Sequence, residues 1–386
     1  MRHLSLISVR FPDGSSRKCV AQDGVPLVLP NLWMCDLFAT CRPNTATSYL
    51  NDVLQVCRWA IAKNIALEEK ITFRLRFTRT ELSSLANHLC KSNENQPCSK
   101  STVERRIASI TNYIRFASEY RAEVDNLSLI EQGQLNRNVD STISKLSKLT
   151  RISASLTRNP RSSEILNSEE LQIIEAVLHP TSDLNPFKAM AIKVRNYCLF
   201  HVTIAVLARR SEAVLLELMD LDLGASPSVL IKMPTLAMSR RRRDGAALKT
   251  KGRQVPISAN LAELLRCYVY EFRPLLLKNG RPSTSLFLSD RDGRRLSSGA
   301  FNQILRKAAN LPEIQRLGKR LHPHALRHAG ATAARRTITS NGATHDELAE
   351  CLTYLGGWSP GSPMVQHYTR AAISERVAKL IRANGS

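Results

Sequence analysis

The chain has 386 residues, 43% apolar, 23% charged and 5% aromatic, a composition that excludes a wholly disordered protein and leaves room for two or three domains. Fifty-five Lys and Arg against thirty-three Asp and Glu give a formal charge of +22, which suits a polyanion, nucleic acid before an acidic membrane surface, but selects no fold. There is no 18-residue apolar run, the opening MRHLSLISVRFPDGSSRK is broken by charge too early for a leader core, and the nine cysteines never pair as C-x-x-C; a cytoplasmic chain with free thiols and no membrane partner is expected.

In residues 1–29 the short runs LSLISVRF and VPLVLP flank the turn signal PDGSS, which predicts a strand-like arm or cap. From Asn44, NTATSYLNDVLQVCRWAIAK brings Tyr49, Val53, Val56, Cys57 and Ile61 near one helical face, with Asn44 or Thr45 as cap. TELSSLANHLC and STVERRIASITNYIRFASEY repeat that period, the second through Val103, Ile107, Ile110 and Ile114. Residues 30–135 are therefore expected to form a compact helical domain. Between Ser141 and Ser163 stand Lys145, Lys148, Arg151, Arg158 and Arg161 with no acidic residue, in a Ser/Thr-rich stretch containing Pro160. That composition predicts a basic linker over 136–167, able to lie along a phosphate backbone or to serve as a solvated connector.

A second domain, 168–386, opens at SEELQIIEAVL with Ser168 as cap and early glutamates. The apolar helix YCLFHVTIAVLA follows, then the strand candidates PSVLIKM and RQVPIS on either side of a basic segment, the helical ANLAELLRCYVYEF and a short strand at TSLFLS. HPHALRHAGATAARR and HDELAECLTYLG return to helical period. The expected fold class is mostly α with a small antiparallel β-sheet.

The basic segment holds Arg240, Arg241, Arg242, Arg243, Lys249, Lys251 and Arg253, with Asp244 as its one acid. A two-stranded turn of that charge either meets DNA or is a solvated loop. Further on, His324, Arg327 and His328 fall at i, i+3 and i+4 of a helix, placing imidazoles beside a guanidinium, a set suited to a phosphodiester. Zinc would need about four ligands, and Arg327 beside His322, His324 and His328 opposes a metal. Tyr368, forty-one residues beyond Arg327, has a phenol that needs positive surroundings or a base before it can attack anything.

The ordered set RRSE (209–212), KTKGR (249–253), HALRH (324–328), LGGW (355–358) and QHYT (366–369) resembles the tyrosine recombinase, or phage-integrase, family. The likeness is specific over 190–386 and looser over 30–135. It implies a helical DNA-binding domain and a mixed α/β catalytic domain of tyrosine-recombinase type that ends in a C-terminal helix. By position, Arg209, Lys249, His324, Arg327, Trp358 and Tyr368 match the family's catalytic set, with Glu212 and His328 supporting. Arg209 rather than Arg210 fits the first place, since it stands three before Glu212. Two spacings depart from the pattern: Lys249 lies one residue closer to Arg253 than usual, which leaves Lys251 as alternative, and Trp358 lies ten rather than nine residues before Tyr368.

The resemblance implies that Tyr368 attacks a phosphate held by Arg209 and Arg327, giving a 3′-phosphotyrosyl bond and a free 5′-hydroxyl. Lys249 would protonate the leaving oxygen, His324 would help move the tyrosine proton, and Glu212 would brace the arginines. No cofactor or metal is called for, because the covalent link stores the broken bond's energy. DNA contacts are expected from Lys145, Lys148, Arg151, Arg240 to Arg243, Lys251 and Arg253. Four such sites acting in pairs on double-stranded DNA, with an accessory protein in some systems, are implied for full recombination. The terminal SERVAKLIRANGS, apolar at Val377, Leu380 and Ile381, suits docking on a neighbour or on its own subunit. A topoisomerase-like strand cleaver and an inactive DNA-binding accessory protein are the alternative functions.

Overall fold

The computed structural model describes residues 3–12, 16–41, 43–72, 77–92, 96–155, 166–233, 252–278, 282–362 and 365. These fall into two compact units that divide between Arg161 and Ser162.

The first unit begins with antiparallel strands β1 (Leu4–Arg10), β2 (Ser16–Gln22) and β3 (Val25–Pro26), β1 pairing with β2 from Leu4 opposite Gln22 to Arg10 opposite Ser16. Helices α1 (Val28–Thr40), α2 (Pro43–Ala62), α3 (Leu67–Thr72), α4 (Arg79–Leu89), α5 (Lys100–Val124) and α6 (Leu129–Ser155) follow. Of VPLVLP only Val25–Pro26 is strand; the rest opens α1, and the main partner of β1 is the more polar SRKCVAQ. The strands of 1–29 pack onto the helices, since Leu4, Cys19 and Val20 are buried in one core with Leu50, Val53, Ile110 and Tyr113.

The sharpest difference lies at 136–155. The expected linker is the body of α6, whose Leu135, Val139 and Leu146 are buried in the same core, so the helical unit does not stop at 135. Period overrides composition here: those leucines and the valine recur at helical spacing with Thr142 and Thr150 buried beside them, while Ser141, Ser144, Lys145 and Lys148 face outward. Lys145, Lys148 and Arg151 form an exposed row on that helix.

The second unit contains α7 (Ser168–Leu178), α8 (Met190–Ala205), α9 (Arg210–Leu215), β4 (Leu221–Asp222), β5 (Ser228–Ile231), β6 (Arg253–Pro256), α10 (Ala259–Cys267), α11 (Ser298–Ala309), α12 (Pro312–Gln315), α13 (Pro323–Ser340) and α14 (His345–Gly356). The cap of α7 is Asn167, one residue before the expected Ser168; its Oδ1 accepts from the Glu170 N–H at 2.8 Å while Glu170 accepts from the Asn167 N–H at 2.7 Å. That reciprocal pair satisfies two amides that a helix start otherwise leaves open. β4, β5 and β6 form a second antiparallel sheet in that order, with Val229 opposite Val255 and Ile231 opposite Arg253.

TSLFLS is not a continuous strand. Leu286, Phe287 and Leu288 are fully buried, yet only single bridges join Ser285 to Glu217 and Leu288 to Arg295. Backbone amides of Leu218 and Leu296 take the Thr284 and Phe287 carbonyls, and side chains take those of Ser285, Leu286 and Leu288. Arg273 donates to the Ser283 and Ser285 carbonyls at 2.6 and 2.7 Å, Tyr268 to that of Leu286 at 3.1 Å and Arg195 to that of Leu288 at 2.7 Å, meeting the demand that buried carbonyls be paired. Among the described residues no helix is long and apolar enough to cross a membrane.

Candidate active site

The apolar helix α8 ends at Ala205, and the chain reverses through Val206 and Leu207 into α9. Leu207 has φ +48°, a left-handed conformation that costs a side chain-bearing residue on the order of 1–3 kcal/mol. The turn leaves Arg209 at the head of α9. Its backbone N–H donates to Glu212 Oε2 at 3.0 Å and its Nη1 to Oε1 at 3.2 Å, while its side chain stays 30% exposed. Arg210 is exposed.

Glu212 is 1% exposed and is the centre of the site. Besides Arg209 it receives Arg253 Nη2 at 3.0 Å and lies 3.8 Å from Arg327 Nη1. Among the described residues, three guanidiniums about one carboxylate leave a local excess of two positive charges. A buried carboxylate is tolerable only when so paired, and the surplus makes the place attractive to an anion.

Arg253 requires a correction. Expected to contact DNA, it is 4% exposed and turned into the protein, with Nε donating to the Leu355 carbonyl at 2.8 Å and Nη2 to that of Val206 at 3.3 Å. Strand alternation supplies the reason: Arg253 shares a face of β6 with Val255, which is buried, while Gln254 and Pro256 face out.

Arg327 is also buried, at 2% exposure. Its Nη1 donates to the Leu207 carbonyl and its Nη2 to that of Gly356 at 2.7 Å. Gly330, one turn on, permits this approach of α13 to α8, because a Cβ there would stand 2.4 Å from the Ile204 carbonyl oxygen. Arg327 therefore does not share an outward face with His324 and His328. Those two rings pair separately, Nε2 to Nε2 at 2.7 Å and centroids 4.1 Å apart, with His324 exposed. One of the two nitrogens must offer a lone pair and the other a proton. His322 caps the helix, its Nδ1 accepting from the Ala325 N–H at 3.2 Å.

The LGGW motif is a helix stop. Gly357, at φ +58°, donates to Tyr354 O at 3.0 Å and Trp358 N–H donates to Thr353 O at 3.0 Å, the two bonds of a Schellman ending. The next two carbonyls, of Leu355 and Gly356, are those taken by Arg253 and Arg327. All four final carbonyls of α14 thus have donors, two of them cationic and drawn from β6 and α13, where the negative end of the helix dipole favours cations. Gly356 must lack a side chain, since a Cβ would lie 2.5 Å from Cδ2 and Cε2 of the Trp358 indole. Trp358 packs with Leu207, Ala331, Leu348 and Leu352, and the Arg327 guanidinium carbon stands 5.4 Å from its ring centroid, within cation–π range.

Lys249, Lys251, Arg240, Arg241, Arg242, Arg243, Tyr368 and the terminal helix lie outside the described residues. Among the described residues no group of three or more His, Cys, Asp or Glu side chains could hold a metal ion.

The model of the Phage integrase family matches residues 166–375. Tyrosine recombinase XerC of Listeria monocytogenes is 23% identical over 310 residues, 80% of this chain and 82% of that one. Tyrosine recombinase XerD of Mycobacterium tuberculosis is 33% identical over 141 residues, 36% of this chain and 39% of its own. Among solved structures, the Tn1549 transposon integrase in complex with circular intermediate DNA has the same fold, with a TM-score of 0.52 at 12% identity over 91% of this chain and 99% of that one.

Proposed function

Since the chain belongs to the phage integrase family and is a site-specific tyrosine recombinase, we propose that Tyr368 is its nucleophile and that double-stranded DNA is its substrate. The convergence of Arg209, Arg253 and Arg327 on buried Glu212 carries this proposal. Fixed positive charge in a desolvated place, with Arg209 reaching solvent, suits the extra negative charge that a phosphodiester gains as it is attacked.

Arg209 meets a non-bridging oxygen, and Arg327 adds its charge from the floor of the site beneath Trp358. The bond from Tyr368 Oη to phosphorus forms as the bond from phosphorus to the 5′ oxygen breaks, leaving a 3′-phosphotyrosyl link. Lys249, or Lys251, gives the leaving oxygen its proton. The His324 and His328 pair takes up the phenolic proton, and the Trp358 indole donates to a phosphate oxygen or packs against the nucleophile. A second strand's 5′-hydroxyl then reverses the step. Lys145, Lys148 and Arg151 on α6, with Arg240 to Arg243, follow the DNA backbone, whose binding weakens steeply with salt. Four copies assemble on paired DNA sites in the cytoplasm, with an accessory protein where directionality demands one.

Covalent trapping tests this. Incubated with nicked duplexes tiled from DNA flanking its own gene, the protein is expected to form a denaturation-resistant adduct whose peptide maps to Tyr368, and Tyr368→Phe to bind equally without it. An adduct persisting in Tyr368→Phe would remove the assignment.

A further inference from the structure

Two successive residues of β6 hold two successive residues of α14. The Tyr354 hydroxyl donates to the Gln254 carbonyl at 2.6 Å, and Arg253 Nε donates to the Leu355 carbonyl at 2.8 Å. Both bonds tie elements a hundred residues apart in sequence, and both fall just before the stop at Gly357. Tyr354 is 53% exposed, so its ring adds little to the core. Water would satisfy the phenol, yet it closes on a backbone carbonyl of β6. Arg253 continues inward from the same clasp to Glu212 and the Val206 carbonyl.

We infer that Tyr354 and Arg253 are positioning residues for the cleavage step, an inference that rests on the recombinase assignment above. In the chain, β6 follows directly on Lys249 and Lys251, and the sequence after α14 leads through Trp358 to Tyr368. Clasping β6 to the last turn of α14 fixes the origins of the proton-donating and nucleophilic stretches against each other. The chemistry needs both at one phosphate at once: as the Tyr368 oxygen bonds to phosphorus, the departing 5′ oxygen must receive a proton. Misplacement of even about 1 Å between such groups costs on the order of a hundredfold in rate.

The test compares wild type, Tyr354→Phe and Arg253→Lys on the nicked duplex found by trapping, made with either oxygen or sulfur at the 5′ bridging position of the scissile phosphate. A thiolate, with a conjugate-acid pKa of about 8.5, leaves without being protonated. On the oxygen substrate Tyr354→Phe is expected to slow single-turnover adduct formation roughly three- to tenfold, the worth of one net hydrogen bond, with DNA affinity unchanged and the melting temperature lowered by at most roughly 5 °C. On the sulfur substrate that defect should shrink toward none. Arg253→Lys keeps the charge but cannot reach Leu355, Val206 and Glu212 together, and is expected to follow the same pattern more strongly. Equal rates for Tyr354→Phe and wild type on the oxygen substrate, or one defect of the same size on both substrates, would overturn the clasp while leaving the recombinase assignment intact. No adduct from wild type on either substrate would remove that assignment and the clasp with it.

Discussion

Removal of the carboxylate at the centre of the site gives the most demanding check on the electrostatic argument. In Glu212→Ala, the side chains of Arg253 and Arg327, 1% and 2% exposed, keep their carbonyl partners but lose the buried carboxylate beside them. Breaking a buried pair by deleting one partner costs about 3–5 kcal/mol, because the remaining charge stays desolvated. For a unit of this size about 2–4 °C of melting temperature accompanies each kcal/mol, so a drop of roughly 6–20 °C is expected in the transition of residues 162–386. Peptide-resolved hydrogen exchange along α8 and α13 assigns that transition to the second unit. Arg209→Ala provides the comparison: its 30% exposed side chain makes a pair worth about 1 kcal/mol or less, so stability should barely move while adduct formation is lost. If Glu212→Ala cost no more stability than Arg209→Ala, the buried guanidiniums would not depend on the carboxylate, and the account of the site would fail. Replacing Arg253 by Met in the Glu212→Ala background should recover part of the loss, since an apolar pair need not be neutralised.

Two further outcomes follow from particular contacts. Gly356→Ala would place a Cβ 2.5 Å from the Trp358 indole; displacing that rigid ring should cost about 1–3 kcal/mol and change the near-ultraviolet circular dichroism, and an unaltered spectrum with normal adduct yield would contradict the packing described. Glu217, whose two oxygens take Lys232 at 2.8 Å and Arg295 at 2.7 Å, has its carboxyl held below the ordinary value of 4.5 by the Lys232 hydrogen bond first and Arg295 after it. A folded pKa below the unfolded one adds stability above the unfolded value and loses it as pH falls through the folded one. Glu217→Gln should therefore be less stable than wild type at neutral pH and converge with it in acid; curves that stay parallel down to about pH 3 would refute the linkage.

Much of the site's order is legible in the chain because its pieces are local. RRSE opens a helix, HALRH lies on one, LGGW ends one, and each is decided by residues within two turns. The expected strands at PSVLIKM and RQVPIS appear as β5 and β6 for a similar reason, since alternation is visible over four residues. What stayed hidden was long-range. Nothing near Arg327 announces that its guanidinium bonds the Leu207 carbonyl, 120 residues earlier, and helical spacing alone placed it on one face with His324 and His328. Arg253 was readable in principle, through its alternation with Val255, but a surrounding run of cations drew it into the DNA-binding set. In α6 the buried leucines were present at helical spacing, and weight given to Ser, Thr and Lys masked them. TSLFLS could not be resolved locally, because the carbonyls of Ser285, Leu286 and Leu288 are satisfied by Arg273, Tyr268 and Arg195 from elsewhere in the fold.

Leu207 occupies a conformation in which glycine would sit at ease. Its carbonyl receives Arg327, while its side chain is 1% exposed beside Trp358, Ala331 and Leu352. Glycine would relieve the torsion but empty that apolar nest, and any larger movement of the nest would drag the carbonyl away from the guanidinium. Charge placement and hydrophobic fit are therefore not separately tunable here: a substitution selected for a firmer core under the indole is at the same time a substitution in the electrostatics of the arginine cluster around Glu212.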